Sequence, residues 1–214
     1  KAEIIVFVGG ISPRLEGEEL KVKVTGFLGG DKTDLNLPAV QTDLLKELKK
    51  LGKPIVLALL NGSDLSINWE NENLDAIIET WYGGEKGGAA LADVLIGNYN
   101  PAGRLPVTFY KSINDLPAFD DYSMSGKTYR YVTKPVLYPF GYGLSYSKFK
   151  YKDMQLDRNS MSAEDSITIS VTVQNTSDID GEEVVQLYLQ DEIGSITRPV
   201  KELKGFKKLM IKGG

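Results

Sequence analysis

The sequence contains neither cysteine nor histidine. Without cysteine there is no thiol nucleophile, no disulfide and no thiolate metal site. Without histidine, these residues hold no Ser-His-Asp triad and no imidazole ligand for a metal ion. Any acid–base chemistry is therefore expected from Asp, Glu, Tyr or Lys side chains, and we predict no cofactor and no metal site. The lack of cysteine leaves the redox compartment open.

Long apolar runs and basic clusters are lacking as well. No run approaches the ~20 residues that a membrane-spanning helix needs. The 214 residues carry a formal net charge of −4, and Lys and Arg are not clustered among aromatic residues, so we predict no nucleic-acid and no membrane partner. Because no leader precedes the first apolar run, we expect a mature or excised chain.

The first apolar run, residues 4–8, predicts a fully buried strand. A glycine-broken acidic stretch follows it, with carboxylates at Glu16, Glu18 and Glu19. In open α/β sheets, ligands bind at the carboxyl ends of the strands. Like charges in close proximity raise the pKa of a carboxyl group, so that it can donate a proton near neutral pH. The alternative interpretation is a solvated acidic loop.

Strand and helix patterns alternate over the first half of the chain. A polar, glycine-rich excursion over residues 11–38 is followed by helical spacing of apolar residues over 40–51 and by an apolar run at 55–60. A strand–helix–strand unit implies parallel pairing with a right-handed crossover. A third strand is predicted at 76–78, and a helix after the glycine-rich turn that ends at Gly88. We therefore predict a three-layer αβα sandwich with a mostly parallel, flavodoxin-like sheet.

The second half of the chain changes character. Residues 97–148 lose regular periodicity and are rich in Gly, Pro and Tyr, which predicts an ordered connector lying across the first domain. From residue 149 the apolar residues alternate, as in antiparallel strands with one polar face. This favours an immunoglobulin or fibronectin III-like sandwich. That fold needs about seven strands, and only about five can be placed, so we expect it to be truncated.

Six strings, taken together and in order, resemble glycoside hydrolase family 3, the β-glucosidase and β-xylosidase family. They are residues 12–19 (SPRLEGEE), 37–41 (LPAVQ), 81–88 (WYGGEKGG), 97–108 (GNYNPAGRLPVT), 127–131 (KTYRY) and 138–146 (YPFGYGLSY). The resemblance covers essentially the whole chain.

The resemblance implies a barrel, then an α/β sandwich domain, then a fibronectin type III-like domain. We expect the α/β sandwich at residues 1–112, an aromatic Gly/Pro-rich connector at 113–148, and a truncated fibronectin type III-like domain at 149–214. The nucleophilic Asp of the family lies on the barrel, which this chain lacks. The general acid/base Glu of the family lies on a loop that matches residues 11–20.

Which glutamate is the acid/base stays open between two residues. Family strings of the form Ser-Gly-Glu-Gly align Glu18 with it, counting from the preceding glycine favours Glu16, and Glu19 has little support. Arg104, Tyr129 and Arg130 are predicted to be interface residues rather than sugar contacts. Trp69 and Trp81 are interpreted as core residues, with stacking on a sugar ring as the alternative.

The resemblance implies the C-terminal portion of an exo-acting retaining β-glycosidase, a β-glucosidase or β-xylosidase. Its expected partners are the N-terminal barrel domain and terminal, non-reducing β-linked glucosides or xylosides. We expect the fragment alone to be inactive, and a periplasmic or secreted location; whether it forms a homo-oligomer stays open. Two alternatives are a non-catalytic carbohydrate-binding or interaction module and a flavodoxin-like nucleotide binder. The lack of a phosphate loop argues against the nucleotide binder.

Overall fold

The computed structural model describes residues 2–16, 21–29 and 31–214. The first part alternates strands and helices in the order β1 (Ile5–Gly10), β2 (Phe27–Leu28), β3 (Asp31–Lys32), α1 (Ala39–Lys49), β4 (Ile55–Leu60), α2 (Asn68–Asn73), β5 (Ala76–Glu79) and α3 (Gly87–Leu95). The second part follows with a 3₁₀ turn (Ile113–Asp115), α4 (Thr128–Tyr131), β6 (Phe149–Leu156), β7 (Ile169–Asn175), β8 (Gly181–Leu189) and β9 (Glu202–Ile211). An α/β domain is thus followed by a β domain, which confirms the predicted fold class.

The main sheet of the α/β domain has the order β1-β4-β5, and both pairings are parallel. In the central strand β4, Leu57, Ala58 and Leu59 are all fully buried. Because successive side chains of a strand point to opposite faces, both faces of β4 are covered. Helix α1 connects β1 to β4, and its Leu45 is fully buried in the core cluster. The predicted parallel strand–helix–strand unit is confirmed.

The prediction that residues 4–8 are fully buried is wrong. Ile4, Val6 and Val8 are 58%, 46% and 60% exposed, whereas Phe7 packs against the core. The physical reason is the position of β1 at an edge of the sheet, where the described residues cover one face only. A continuous apolar run therefore does not distinguish an edge strand with one open face from a central strand.

The sequence patterns do not predict two short elements of the structure. Within the excursion of residues 11–38, β2 and β3 form a small antiparallel hairpin, with Gly26 and Gly29 at positive φ. The polar helix α2 lies between β4 and β5 and carries a single fully buried carboxylate, Glu70, which accepts a hydrogen bond from Thr42 Oγ1 at 2.6 Å. Six mostly polar residues give no apolar periodicity, so sequence reasoning had no signal for α2.

Residues 97–148 are mostly irregular, as predicted, and they pack against both domains. Phe109 and Tyr138 form an antiparallel bridge, and their rings meet edge to face at 6.0 Å. Phe109 is 1% exposed, and Tyr138 Oη donates to Asn71 Oδ1 at 2.6 Å. Near the bridge, Leu105 N donates to the carbonyl oxygen of Tyr142 at 2.8 Å. Through these contacts, the segment packs closely against the α/β domain.

Among the described residues of the β domain there are four strands, fewer than the five or so expected. They pair as two antiparallel hairpins, β6-β7 and β8-β9. Residues 199–211 contribute a single long strand, β9. Apolar side chains of the hairpins lie open to solvent, including Met154 at 73% and Phe206 at 71% exposed. The faces that a full sandwich would cover are exposed here.

The two domains meet through the three residues predicted to be interface residues. Arg104 Nη2 lies 2.5 Å from Glu183 Oε2, with both side chains nearly buried. The ring of Tyr129 stacks on Phe140 at 4.2 Å, and its hydroxyl accepts from the backbone of β9. Arg130 pairs with Glu202. All three residues therefore contact the β domain, Arg104 through Glu183 and the other two through β9; whether any of them also faces a barrel domain stays a prediction.

Candidate active site

The acidic loop lies at the carboxyl edge of the main sheet. Parallel strands end at the same edge, so the segments that follow β1, β4 and β5 meet there. Ile11 N donates to the carbonyl oxygen of Leu60 at 2.8 Å, which ties the start of the loop to the end of β4. The side-chain amide of Gln41 on α1 bonds to both the N–H and the carbonyl of Gly10, at 2.8 and 2.7 Å.

The carboxylate of Glu16 is seated on two other loops of the same edge. Its Oε2 accepts from Gly62 N at 3.1 Å and from the hydroxyl of Tyr82, and its Oε1 accepts from Ser63 Oγ. We call this arrangement the Glu16 seat. A Cβ at Gly62 would lie 2.8 Å from Glu16 Oε2 and 2.7 Å from the Tyr82 ring, so the seat needs glycine there. Burial, and then the Glu16 carboxylate, raise the pKa of the Tyr82 hydroxyl.

Of the three predicted carboxylates, the structure places only Glu16. Glu18 and Glu19 lie in the stretch 17–20, outside the described residues. Their roles stay predictions.

A lysine lies beside the seat. Lys32 Nζ donates to Ser63 Oγ at 3.1 Å and to the carbonyl oxygen of Asp64 at 2.5 Å. Burial lowers the pKa of Lys32, while the negative charges of Asp64, Glu16 and Asp34 oppose that effect. Burial raises the pKa of Asp64, and Lys32 opposes it. The hairpin β2-β3 thus brings one cation to an otherwise acidic edge.

Trp81 follows β5 in a left-handed backbone conformation, with φ 52°. Its ring packs edge to face on Phe109 at 6.1 Å, and it also lines a cavity of about 450 Å³ together with residues 62–64, 106 and 107. Trp69 packs against the hydrophobic core, with Lys46 Nζ 5.8 Å from its ring centroid. Core packing, the favoured interpretation, therefore holds for Trp69, whereas Trp81 is packed on one side and borders the cavity.

Several residues of this edge were missed by sequence reasoning. Asn61, Gly62 and Ser63 directly follow the apolar run at 55–60, and Tyr82 lies in the glycine-rich string 81–88; the sequence alone assigns neither group to the site. Their position directly after two strands of one parallel sheet was the available signal, because those positions share an edge. Lys32 gave no such signal, since it reaches the edge from a two-residue strand.

Two absences hold for the described part of the chain. No cluster of three or more Asp or Glu side chains is arranged to hold a metal ion. None of the described helices combines the length and apolar character of a membrane-spanning segment.

The family of the chain follows from comparison with known proteins. Residues 1–146 match the family described as the glycosyl hydrolase family 3 C-terminal domain, and residues 183–214 match the fibronectin type III-like domain. The chain belongs to glycosyl hydrolase family 3. The resemblance read from the six sequence strings is confirmed.

Proteins similar to this chain include β-xylosidases, β-glucosidases and an exo-alpha-(1->6)-L-arabinopyranosidase of Bifidobacterium longum. A xylan 1,4-beta-xylosidase of Xylanibacter ruminicola is 47% identical over 98% of this chain and 24% of its own length. A periplasmic beta-glucosidase of Salmonella typhimurium is 39% identical over 100% of this chain and 27% of its own. The chain thus spans about a quarter of the length of the curated relatives it matches.

Solved structures of β-glucosidases share the fold. One from Erythrobacter marinus superposes with a TM-score of 0.85 at 39% identity, over 99% of this chain and 28% of that one. One from Listeria innocua, solved with glucose, gives 0.82 at 34% identity, over 99% and 30%. The order of an α/β domain followed by a β domain is therefore shared with these enzymes.

Proposed function

We propose that this chain is the part of an exo-acting retaining β-glycosidase that supplies the general acid/base glutamate. The observation that carries the proposal is the acidic loop at the carboxyl edge of the sheet, held there by the Glu16 seat. The names of the relatives support a β-glucosidase or β-xylosidase acting on terminal, non-reducing β-linked sugars. The proposed division is an α/β domain at 1–112, a connector at 113–148 and a fibronectin type III-like domain at 149–214.

Within the loop, we assign different roles to the two candidate glutamates. An ionised carboxylate only accepts hydrogen bonds, and Glu16 already accepts from three donors of its own domain. This supports Glu16 as the anchor of the loop. Glu18, two residues further on and aligned with the acid/base by the family resemblance, is the proposed proton donor.

The proposed reaction uses two carboxylates in two steps. A nucleophilic Asp, located on a barrel domain outside this chain, attacks the anomeric carbon while Glu18 gives its proton to the glycosidic oxygen, and the aglycone leaves. Glu18 then takes a proton from water, the water oxygen attacks the anomeric carbon, and the Asp carboxylate is released. Retention requires the two carboxyl groups to lie about 5–5.5 Å apart. The Glu16 seat serves that requirement, because it fixes the start of the loop that carries Glu18.

Alanine substitutions in the enzyme that carries this chain test the assignment. Glu18→Ala should slow substrates with poor leaving groups by about 10²–10⁴-fold and good ones far less, because good leaving groups need little protonation. External azide should restore the rate of Glu18→Ala. Glu85→Ala is the matched control, since its side chain is 89% exposed. Azide rescue of Glu16→Ala instead would reverse the two roles, and rescue of neither variant would refute the loop as the source of the acid/base.

We further propose that this polypeptide alone does not turn over aryl β-glucosides or aryl β-xylosides, since the nucleophile lies elsewhere. Measurable turnover by the purified chain would contradict this. Calorimetry with gluco- and xylo-oligosaccharides addresses the alternative of a carbohydrate-binding module, which millimolar or tighter binding would favour. A periplasmic or secreted location is proposed on the name of one relative, and cell fractionation tests it.

A further inference from the structure

The buried end of β5 holds a carboxyl group with one unpaired oxygen. Glu79 Oε1 accepts from the backbone N–H of Trp81 at 3.0 Å. Its Oε2 is buried and has no hydrogen-bond partner among the described residues. A buried polar atom without a partner is rare in native proteins and calls for a physical explanation.

A second unpaired oxygen lies close by. Asn61, directly after β4, is 0% exposed, and it lies two residues beyond Leu59, the strand partner of Glu79 in the sheet. Its Nδ2 donates to the carbonyl oxygen of Ser63 at 2.8 Å, which shapes the turn. Its Oδ1 has no partner within the described part of the chain. One buried corner of the sheet edge therefore contains two oxygens that both need a donor.

A single proton on Glu79 would give both unpaired oxygens a place in one hydrogen bond, from Glu79 Oε2 to Asn61 Oδ1. An ionised carboxylate has no donor, whereas a protonated one has an O–H group. Burial raises the pKa of Glu79 from 4.5 to about 7, although the N–H of Trp81 and the nearby Asn61 side chain act in the opposite direction. The titratable groups near the turn are Glu16, Tyr82, Lys32 and Asp64. The first three contact residues 62–64, to which Asp64 belongs, and among the residues that the structure describes no charged side chain shifts the pKa of Glu79.

The corner is directly connected to the Glu16 seat. Asn61, Gly62 and Ser63 are consecutive; the first is held by its contact with Glu79 and the other two bind the Glu16 carboxylate. A side chain at Gly62 would displace the Tyr82 ring or the Glu16 carboxylate, so both side chains pack closely on the turn. A change in the Asn61 side chain therefore alters the donors that face Glu16.

We infer that Glu79 is a positioning residue, which in its protonated form donates from Oε2 to Oδ1 of Asn61 and so fixes the 61–63 turn that seats Glu16. Ionisation of Glu79 leaves two acceptors facing each other and loosens the turn. The role in the reaction rests on the proposed function, because the seat fixes the loop that carries Glu18.

Nuclear magnetic resonance of the 214-residue chain tests the positioning role directly. The amide of Gly62 reports on the seat because it donates to Glu16 Oε2. Its shift should follow a transition near pH 7 in the wild type. Glu79→Gln keeps a donor for Asn61 and an acceptor for Trp81 but cannot ionise, so its Gly62 shift should stay flat. Glu70→Gln, a change at another buried glutamate, is the matched control and should titrate like the wild type.

Two results would overturn the inference: a Gly62 amide that shows no transition near pH 7 in the wild type, or the same transition in Glu79→Gln. The ¹³C shift of the Glu79 carboxyl group gives a second measurement that needs no variant. A carboxyl that is fully ionised at pH 5.5 would also overturn it.

Kinetics of the enzyme that carries this chain test the consequence for catalysis. Glu79→Ala should lower kcat by about 10- to 100-fold through misplacement of the loop, with KM little changed. Glu79→Gln should restore kcat at pH 6 and hold it to higher pH than the wild type. An Ala variant with wild-type kcat overturns the inference. If azide rescues neither Glu16→Ala nor Glu18→Ala while Gly62 still follows Glu79, the proposed function has failed and the positioning of the turn stands.

Discussion

Replacing Arg104 by methionine should destabilise the contact between the two domains. Arg104 Nη2 lies 2.5 Å from Glu183 Oε2, and the two side chains are 12% and 11% exposed. The other oxygen of Glu183 accepts from Tyr151 Oη at 2.7 Å. Without the guanidinium group, Glu183 keeps one neutral donor and stays buried as an uncompensated charge.

The magnitude follows from the burial of both partners. Breaking a buried ion pair by removing one partner costs about 3–5 kcal/mol, most of it from the charge that is left behind. Replacing both partners by apolar side chains is often close to neutral. We therefore expect Arg104→Met to lose about 3–5 kcal/mol of unfolding free energy, and the double variant Arg104→Met/Glu183→Leu to recover most of that loss.

Urea unfolding measures these differences. Both tryptophans, Trp69 and Trp81, lie in the α/β domain, so their fluorescence follows that domain while far-ultraviolet circular dichroism follows the whole chain. Non-coincident transitions would show that the domains unfold separately, and each would then be analysed by itself. Lys50→Met is the matched control, because Lys50 and Glu47 are 68% and 67% exposed, and such a pair is worth below about 1 kcal/mol.

Equal effects of Arg104→Met and Lys50→Met would refute the argument. So would a double variant that is less stable than Arg104→Met alone, because the penalty would then come from lost packing rather than from the stranded charge of Glu183.

Three further predictions concern the α/β domain. Because burial raises the pKa of Glu79 from 4.5 to about 7, protonated Glu79 stabilises the folded state fully below pH 4.5, and about 3 kcal/mol of unfolding free energy is lost as the pH rises towards 7. In urea unfolding between pH 4 and 8, the wild type should lose that amount relative to Glu79→Gln. A difference between the two proteins that stays constant with pH would contradict the prediction. Gly10→Ala should lower the unfolding free energy by about 4 kcal/mol or more, because its Cβ would lie 1.9 Å from the carbonyl oxygen of Leu60 at φ +127°. Gly52→Ala has open space around it and should lower the unfolding free energy by about 1 kcal/mol. Thermal denaturation compares the two variants, and equal losses of stability would exclude the clash at Gly10. Leu45→Ala removes a side chain that is 0% exposed in the core cluster and should cost about 2–5 kcal/mol in urea unfolding, and a loss below about 1 kcal/mol would place Leu45 outside the core.

The order of the main elements was accessible from the sequence. The apolar run at 55–60 belongs to the central strand, where both faces are covered, so composition alone identifies it. The same criterion failed for residues 4–8, because an edge strand with one open face has the same composition. Helix α2 and hairpin β2-β3 lack periodic apolar residues and are held by tertiary contacts, such as those of Glu70 and Lys32.

The candidate site was accessible only in part, for a different reason. The sequence shows three carboxylates close together along the chain, and proximity along the chain predicts mutual repulsion. The structure adds what comes from elsewhere: Gly62 and Ser63 follow one strand, and Tyr82 follows another. Those three donors turn Glu16 from a candidate proton donor into a carboxylate that is held in place.

The role of a carboxyl group in this edge therefore depends on the donors within its reach. Glu16 accepts hydrogen bonds from three donors, a situation that suits an anchor. Glu79 meets one donor and one unpaired acceptor, a situation that favours its protonated form. Since the turn of residues 61–63 touches both, a proton on Glu79 and the position of Glu16 are coupled through two residues of backbone. Exchange of the Gly62 amide hydrogen should accordingly be slower in Glu79→Gln than in the wild type at pH 8, after correction for the intrinsic rate, and equally fast exchange would separate the two glutamates.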